Sequence, residues 1–208
     1  IIDSKTKKKD IINIFRNYKP NYIFLNSKNK SFFKGKCIEK YNFSNEVLLK
    51  NKINKKIVLN KDLSLLLSTS GSMGSVKFVK LSKMNIKHNA DTIIKYLKKK
   101  KNDTAITNLP ISYSYMLSII NTHFEKGGTI IISNYSIIEK RFWEIFKKKK
   151  ITSFNGVPYT YEILSKIGLK NIKIKSLRYI TQAGGKLEKK ILIEVNNFCK
   201  KNKFDFFS

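Results

Sequence analysis

A loop rich in glycine and hydroxyl side chains is the part of this sequence best suited to bind phosphate. The loop reads Thr69-Ser70-Gly71-Ser72-Met73-Gly74-Ser75-Val76-Lys77. Its hydroxyls and backbone N–H groups can surround phosphate oxygens, its glycines let the backbone approach a ligand closely, and Lys77 adds a positive charge. A Walker loop is excluded because Val76 stands where that motif needs glycine before its lysine. A flexible Ser/Gly linker is the alternative interpretation.

The elements that must position this loop follow from the apolar runs and the turn residues between them. Strands are predicted at Tyr22–Leu25, Ile57–Leu59, Leu63–Ser68, Val76–Leu81, Thr104–Asn108, Thr129–Ser133, Ile151–Phe154, Leu177–Thr181 and Phe204–Phe207. Helices are predicted at Asp10–Tyr18, Ser82–Leu97, Tyr113–Phe124, Ser136–Phe146, Pro158–Gly168 and Leu187–Cys199. The Lys/Asn-rich sequence between the first two strands is assigned no structure.

The order of these elements predicts an α/β fold, with strands and helices alternating around a largely parallel sheet. Leu63–Ser68 is expected to be a buried strand of this arrangement. Ligands of such sheets bind at the loops beyond the carboxyl ends of the strands. The Gly-rich loops at residues 69–75 and 183–185 are both expected there.

The charge of the chain is strongly positive, +29 over 208 residues. Such a charge is typical of proteins that bind nucleic acid or an anionic surface. However, the chain has 40 Lys and only 3 Arg, and it also has 30 Ile and 21 Asn. Arginine is the preferred residue for bidentate recognition of phosphates and bases, and the codons of Lys, Ile and Asn are all rich in A and T. A genome-wide base bias therefore explains the charge, and we expect no specific nucleic-acid partner.

The sequence carries no apolar stretch of the ~18 residues that a transmembrane helix needs, and no apolar signal peptide at its start. Its two cysteines, Cys37 and Cys199, lie far apart in the chain and form neither a disulfide framework nor a zinc motif. Both observations favour a cytoplasmic, reducing environment.

The first residue is not methionine, so we expect the numbered sequence to begin partway into a longer protein.

Several segments together resemble the superfamily of AMP-forming adenylate ligases, which comprises acyl-CoA synthetases, peptide-synthetase adenylation domains and luciferases. The loop at residues 69–77 is similar to the phosphate loop of that family. The other similar segments, in order, are Leu81–Ile86, Leu109–Tyr115, Gly127–Ile132, Thr152–Pro158, Leu177–Ile180 and Ala183–Leu187. The resemblance covers about residues 63–208, and the chain then reads as an incomplete part of the large domain of such a ligase.

The resemblance implies a two-step reaction, in which a carboxylate attacks the α-phosphate of ATP and the resulting acyl-adenylate passes its acyl group to CoA or a carrier thiol. It assigns ATP phosphate binding to Thr69, Ser70, Gly71, Ser72, Met73, Gly74 and Lys77. It assigns the adenine and acyl pocket to Asn155, Gly156, Ala183, Gly184 and Gly185. Lys77 and Tyr113 are the candidate catalytic residues, Tyr113 because the family has an aromatic residue or His beside the reacting carboxylate there. Packing at the start of a helix is the alternative interpretation of Tyr113.

The same resemblance implies Mg²⁺ as a cofactor, with its ligand expected beyond Ser208 in a Tyr-Gly-x-Thr-Glu motif. It leads us to expect that the 208 residues alone do not catalyse adenylation. The expected domains are a poorly defined, partial segment at residues 1–60 and a nucleotide-binding α/β portion at residues 61–208. Two other functions stay open at this point: a degenerate, non-catalytic relative that serves as a binding subunit, and a basic nucleic-acid-binding module.

Overall fold

The computed structural model describes residues 1–3, 5–52, 58–68, 77–107, 109–169 and 175–208. They fall into two compact units, residues 1–82 and residues 83–208. None of the helices in these ranges is both long and apolar enough to cross a lipid bilayer. The break between the units follows residue 82, whereas the sequence suggested a domain boundary after residue 60.

The described residues of the first unit form one α-helix, one short 3-10 helix and two antiparallel sheets. Its elements are α1 (Lys8–Tyr18), β1 (Tyr22–Asn26), the 3-10 helix (Ser27–Phe33), β2 (Cys37–Phe43), β3 (Glu46–Asn51), β4 (Leu63–Ser68) and β5 (Phe78–Ser82). Strands β1, β3 and β2 form one sheet in that order, and β4 pairs with β5 in the other. A small core of Phe15, Phe33, Val47 and Leu49 packs under the three-stranded sheet.

The structure corrects three predictions about this first unit. Residues 37–51, which were assigned no structure, form the β2–β3 pair, in which burial alternates along β3 because Val47 and Leu49 face the core. The strand predicted at Ile57–Leu59 is wrong for Val58 and Leu59, which lie outside any strand, and Ile57 is outside the described residues. Strand β4 has its predicted bounds, but it is only half-buried because it pairs with β5 alone.

The second unit is a five-stranded parallel sheet with helices between its strands. Its elements are α2 (Lys83–Tyr96), β6 (Thr104–Thr107), α3 (Ser114–Lys126), β7 (Thr129–Ile132), α4 (Lys140–Lys148), β8 (Ser153–Gly156), α5 (Pro158–Ile167), β9 (Tyr179–Gln182), α6 (Lys189–Asn202) and β10 (Asp205–Phe207). The strand order is β10-β9-β8-β6-β7, and every neighbouring pair is parallel. This confirms the predicted α/β class and its parallel sheet.

The core of the second unit lies where the helices pack on the sheet, and it is strongly aromatic. Phe142 and Phe146 of α4 and Tyr161 of α5 are fully buried and meet Phe154 of β8. Burial of each such ring stabilises the fold by about 1.5–3 kcal/mol relative to an exposed ring. This packing holds the short strands, four residues or fewer each, in place.

Helix α4 begins four residues later than the sequence predicts. The Glu139 carboxylate does accept a hydrogen bond from the Ser136 N–H at 2.5 Å, as in a capping box, but residues 136–139 form a turn. The indole N–H of Trp143 donates to the carbonyl oxygen of Ile137 at 2.7 Å, and the Ile137 side chain is buried. These two contacts hold Ile137 outside the helix, so the helix starts at Lys140.

Candidate functional site

The carboxyl ends of the parallel strands bring together one group of the predicted site residues. We call this end of the sheet the carboxyl edge. Asn155 and Gly156 are the last residues of β8, and Ala183 follows directly after β9, its neighbour in the sheet. The Ala183 N–H donates to the Gly156 carbonyl oxygen at 3.3 Å, so the two strand ends stay joined where the chain leaves the sheet.

Tyr113 reaches the same edge from the start of α3, and it fits against the loop at residues 183–185. Gly184 has φ +90°, a backbone conformation that side chains rarely adopt. A Cβ atom at Gly184 would collide with the Tyr113 hydroxyl, and one at Gly185 would lie 3.2 Å from Cγ of Pro158. Gly184 is therefore favoured by its backbone conformation and by the close approach of Tyr113, and the space beside Gly185 is tight.

A chain of hydrogen bonds beneath this loop was not visible in the sequence. The Thr181 hydroxyl donates to Oδ1 of Asn155 at 2.8 Å, and Oη of Tyr115 lies 2.5 Å from Oγ1 of Thr181. The Tyr161 hydroxyl donates to the carbonyl oxygen of Thr181 at 2.7 Å. Burial raises the pKa of Tyr115 well above its usual value, so its hydroxyl stays protonated and able to donate.

The side chain of Gln182 anchors the loop at residues 183–185 by a hydrogen bond. Its side-chain Nε2 donates to the Gly185 carbonyl oxygen at 2.8 Å, and its Oε1 accepts a hydrogen bond from the Ser208 hydroxyl at 2.8 Å. Both ends of this amide are used, so Gln182 fixes the position of the loop. The sequence analysis assigned no role to Gln182, because a glutamine that closes its own turn has no distinguishing motif.

The predicted phosphate loop lies almost entirely outside the described residues. This holds for Thr69, Ser70, Gly71, Ser72, Met73 and Gly74. Lys77 is described and exposed, directly before β5 in the first unit. The chain segment that carries the loop connects two antiparallel strands, β4 and β5, so it does not follow a strand of the parallel sheet as predicted.

A second polar cluster lies at the opposite end of the same sheet, which we call the amino edge. Asp103 directly precedes β6, is almost fully buried and forms an ion pair with Arg178, which directly precedes β9. The other oxygen of Asp103 accepts from the Lys100 N–H at 2.8 Å. Lys99 is also buried, and its Nζ donates to the Tyr179 hydroxyl at 3.0 Å.

His123 completes the amino edge as a neutral ring. Because a carbonyl oxygen only accepts, Nδ1 of His123 must carry the proton that it donates to Ile119 at 2.7 Å. Nε2 is then an acceptor, and it lies 3.4 Å from both Nζ of Lys99 and Oγ of Ser153. Burial, together with the charge of Lys99, lowers the pKa of His123 to about 4, which agrees with a neutral imidazole.

The other titratable groups of the amino edge are also shifted by their surroundings. Burial lowers the pKa of Lys99 to about 8, although the Asp103 carboxylate opposes this change. Burial disfavours the charged form of Asp103, but its hydrogen bond from Arg178 and the other donors around it outweigh that cost and lower its pKa. Burial raises the pKa of Tyr179 to about 12. All of these polar groups have partners, which is the pattern of a structural cluster.

The described residues form no cluster of metal-ligating side chains. In the described ranges, no three His, Cys, Asp or Glu side chains come together as a group that could hold an ion. The resemblance predicts the Mg²⁺ ligand beyond Ser208, so the described residues leave that expectation a prediction.

Comparison with known proteins gives one family match and many structural matches. The family model described as "AMP-binding enzyme" matches residues 4–204. No curated protein matches the chain. Three of the solved structures that match are a coenzyme A synthetase, the N-terminal domain of a protein named FACL13, and an adenylation–carrier unit.

The first of these is o-succinylbenzoate coenzyme A synthetase (MenE) from Bacillus subtilis in complex with AMP. It is 21% identical with a TM-score of 0.57, and the match covers 69% of this chain and 29% of the synthetase chain. The N-terminal domain of FACL13 from Mycobacterium tuberculosis, bound to an inhibitor, has 14% identity, TM-score 0.59, and coverages of 68% and 34%. McyG A-PCP complexed with phenylalanyl-adenylate has 17% identity, TM-score 0.60, and coverages of 74% and 29%. This chain thus spans about a third of the length of these neighbours or less, and at these identities the likeness establishes the fold alone.

Proposed function

Because the chain belongs to the AMP-binding enzyme family, we propose that it is part of an ATP-dependent, AMP-forming ligase that activates a carboxylic acid. The acid's carboxylate attacks the α-phosphate of ATP, so that a bond forms between its oxygen and phosphorus and pyrophosphate leaves. The observation that carries the proposal is the family match over residues 4–204. The geometry of the carboxyl edge supports it, because parallel α/β sheets bind ligands at that edge.

The residues of the carboxyl edge would hold the adenylate rather than form bonds with it. Ala183, Gly184 and Gly185 carry a small side chain or none, which would let a flat adenine ring approach their backbone closely. Tyr113, whose hydroxyl lies against Gly184, would stand beside the reacting carboxylate and orient it. Orientation of this kind lowers the barrier because the reactants no longer lose translational and rotational freedom in the transition state.

Lys77 and the loop before it would bind the β- and γ-phosphates. A fixed positive charge and the loop hydroxyls would stabilise the negative charge that accumulates on the departing pyrophosphate. In this proposal ATP is the cosubstrate, and Mg²⁺, when bound, supplies further charge neutralisation at the phosphates. CoA or a carrier-protein thiol is the proposed acceptor of the acyl group.

The first test measures whether ATP stabilises the chain against thermal unfolding. We expect ATP to raise the Tm of the wild-type chain and Lys77→Ala to weaken that rise, because Lys77 faces the phosphates in the proposed complex. Lys80→Ala is the matched control: Lys80 is also exposed, it lies on the adjoining strand β5, and its loss changes the net charge equally. Comparison at low and high salt separates the specific contact from general attraction to a chain of charge +29. Equal shifts for both variants would contradict the role of Lys77.

The second test measures pyrophosphate release from the 208-residue chain with a panel of carboxylic acids. We propose that these residues alone do not complete the reaction, because the chain spans only about a third or less of the length of the solved structures it matches. Binding of ATP without pyrophosphate release is the expected result. Robust turnover would contradict this part of the proposal, and no binding at all would favour a non-catalytic relative.

A further inference from the structure

One buried polar group at the carboxyl edge has no partner. Asn155 is only 5% exposed, and its side-chain nitrogen Nδ2 is fully buried without an acceptor among the described residues. An amide nitrogen carries two N–H groups, and a buried donor that bonds to nothing destabilises the fold because it has lost its hydrogen bonds to water. Buried donors of this kind are rare in folded proteins, and each calls for a physical explanation.

The neighbouring hydroxyls fix the direction in which this amide can bind. The Thr181 hydroxyl gives its only proton to Oδ1 of Asn155, so the short Tyr115–Thr181 contact must have Tyr115 as its donor. Each hydroxyl in the series Tyr115–Thr181–Asn155 therefore donates in the direction of Oδ1 of Asn155. The amide oxygen has a hydrogen-bond partner, whereas Nδ2 has no acceptor among the described residues.

We propose that Asn155 is a specificity-determining residue that binds a hydrogen-bond acceptor on the side chain of the carboxylic acid. The inference rests on the proposed function, because it places the acid's side chain at the carboxyl edge beside Tyr113 and Gly184. The substrate class it names is an acid with a ketone, amide or second carboxylate oxygen, rather than an acid with a plain hydrocarbon chain. Tyr115 and Thr181 are positioning residues, since they hold the amide in the orientation that leaves Nδ2 unpaired.

A substrate oxygen is better suited to this position than a hydrocarbon group for a simple reason. An apolar group against Nδ2 would leave both N–H groups unpaired in the complex, whereas an acceptor would restore the hydrogen bond that folding removes. Sites that hydrogen-bond a ligand group discriminate strongly against an analogue without it, because the buried partner is then left unpaired.

The test uses three non-hydrolysable acyl-sulfamoyladenosines whose acyl groups have the same size. The first is levulinyl, which carries a ketone oxygen. The second is isocaproyl, in which a methyl group replaces that oxygen, and in the third an ammonium group replaces it. Calorimetric titration of the full 208-residue chain should show levulinyl binding about tenfold more tightly than isocaproyl, the value of one good hydrogen bond.

Two variants of Asn155 make the assignment specific. Asn155→Leu removes the amide with little change in volume, and we expect it to abolish the preference for levulinyl. Asn155→Asp keeps the shape but only accepts hydrogen bonds, so we expect it to favour the ammonium analogue. Ser153→Ala is the matched control, because Ser153 is equally buried on the same strand but lies at the amino edge. It should leave the order of the three analogues unchanged.

The outcomes separate the inference from the function on which it rests. Unacylated sulfamoyladenosine tests the adenosine site alone, and its failure to bind would contradict the proposed function. If it binds but levulinyl and isocaproyl bind equally, Asn155 serves a buried water molecule and the inference is wrong. A preference of the wild-type chain for the ammonium analogue would also overturn it.

Discussion

The two edges of the parallel sheet carry polar clusters of similar size that differ in how completely their groups are paired. At the amino edge, Asp103, Arg178, Lys99 and His123 find their partners within the fold. At the carboxyl edge, the amide of Asn155 is left half-paired. A fully paired cluster has nothing to offer a ligand, whereas an unpaired donor does. The difference assigns stability to the first edge and binding to the second.

This contrast also separates strongly shifted pKa values from function. Burial lowers the pKa of Lys99 to about 8 and the pKa of His123 to about 4, and strongly shifted pKa values of this kind are often taken to mark an active site. Here both groups lie at the end of the sheet away from the loops that bind ligands in this fold class. Their shifts follow mainly from burial in a structural cluster, and Tyr113 and Asn155 are the better candidates for contacts with a substrate.

The largest effect on stability is expected at the amino edge, from Asp103→Asn. The variant leaves Arg178 and Lys99 without their buried negative partner, and we expect the free energy of unfolding to fall by about 3 kcal/mol. Asp91→Asn is the control, because the ion pair of Asp91 with Lys87 is exposed to solvent and should contribute little to stability. Denaturant titration of both variants measures the difference. If the folded Asp103→Asn variant also lost affinity for the adenylate, the assignment of stability to the amino edge and binding to the carboxyl edge would be contradicted.

A smaller effect, but one on binding as well as stability, is expected from Gly184→Ala. The alanine backbone must keep φ +90°, and its methyl group must displace the Tyr113 hydroxyl. We expect this strain to lower the free energy of unfolding by about 2 kcal/mol and to weaken adenylate binding. Gly127→Ala is the control, since its φ is +69° but a Cβ there would meet only Cγ of Lys101 at 3.8 Å.

Adding Tyr113→Phe to Gly184→Ala should recover the part of the loss that comes from the hydroxyl and leave the backbone strain. The same addition should have no such effect in Gly127→Ala. If Tyr113→Phe recovers nothing, the close approach of Tyr113 to the loop does not exist in solution.

The smallest of these effects is a pH dependence that belongs to Lys99. Because the pKa of Lys99 is lowered to about 8 in the folded chain, the unfolded chain binds more protons between pH 8 and the ordinary lysine pKa of about 10.4. The unfolding free energy should therefore rise with pH in this window, by about 1–2 kcal/mol between pH 8 and pH 9.5. Lys99→Met should remove that part of the rise, as measured by denaturant titration at both pH values. An unchanged slope would contradict the burial of a charged Lys99.

Much of the second unit could be predicted from the sequence, because its signals are local. Apolar runs such as Ile130–Ile132 predict strands, Gly127 ends α3 in the left-handed conformation, and Pro158 begins α5. The loop at residues 183–185 could also be placed, since it follows a strand that parallel pairing brings to the carboxyl edge.

The contacts that distinguish the two edges could not be predicted, because their partners are distant in the chain. Tyr115 and Thr181 are 66 residues apart, and Lys99 and Tyr179 are 80 apart. No spacing rule connects such pairs, and only the strand order brings them together. The β2–β3 pair was missed for another reason: its composition is rich in Lys and Asn, and only the alternation around Val47 reveals a strand.

Amide hydrogen exchange of the 208-residue chain, with and without levulinyl-sulfamoyladenosine, tests the difference between the two edges most directly. The ligand should slow exchange at the backbone amides of Gly184 and Gly185 and at the end of β8, because these groups lie at the proposed binding edge. Exchange at Asp103 and Thr104, at the amino edge, should change much less. Equal protection at both edges, or protection at the amino edge alone, would contradict the assignment of binding to the carboxyl edge.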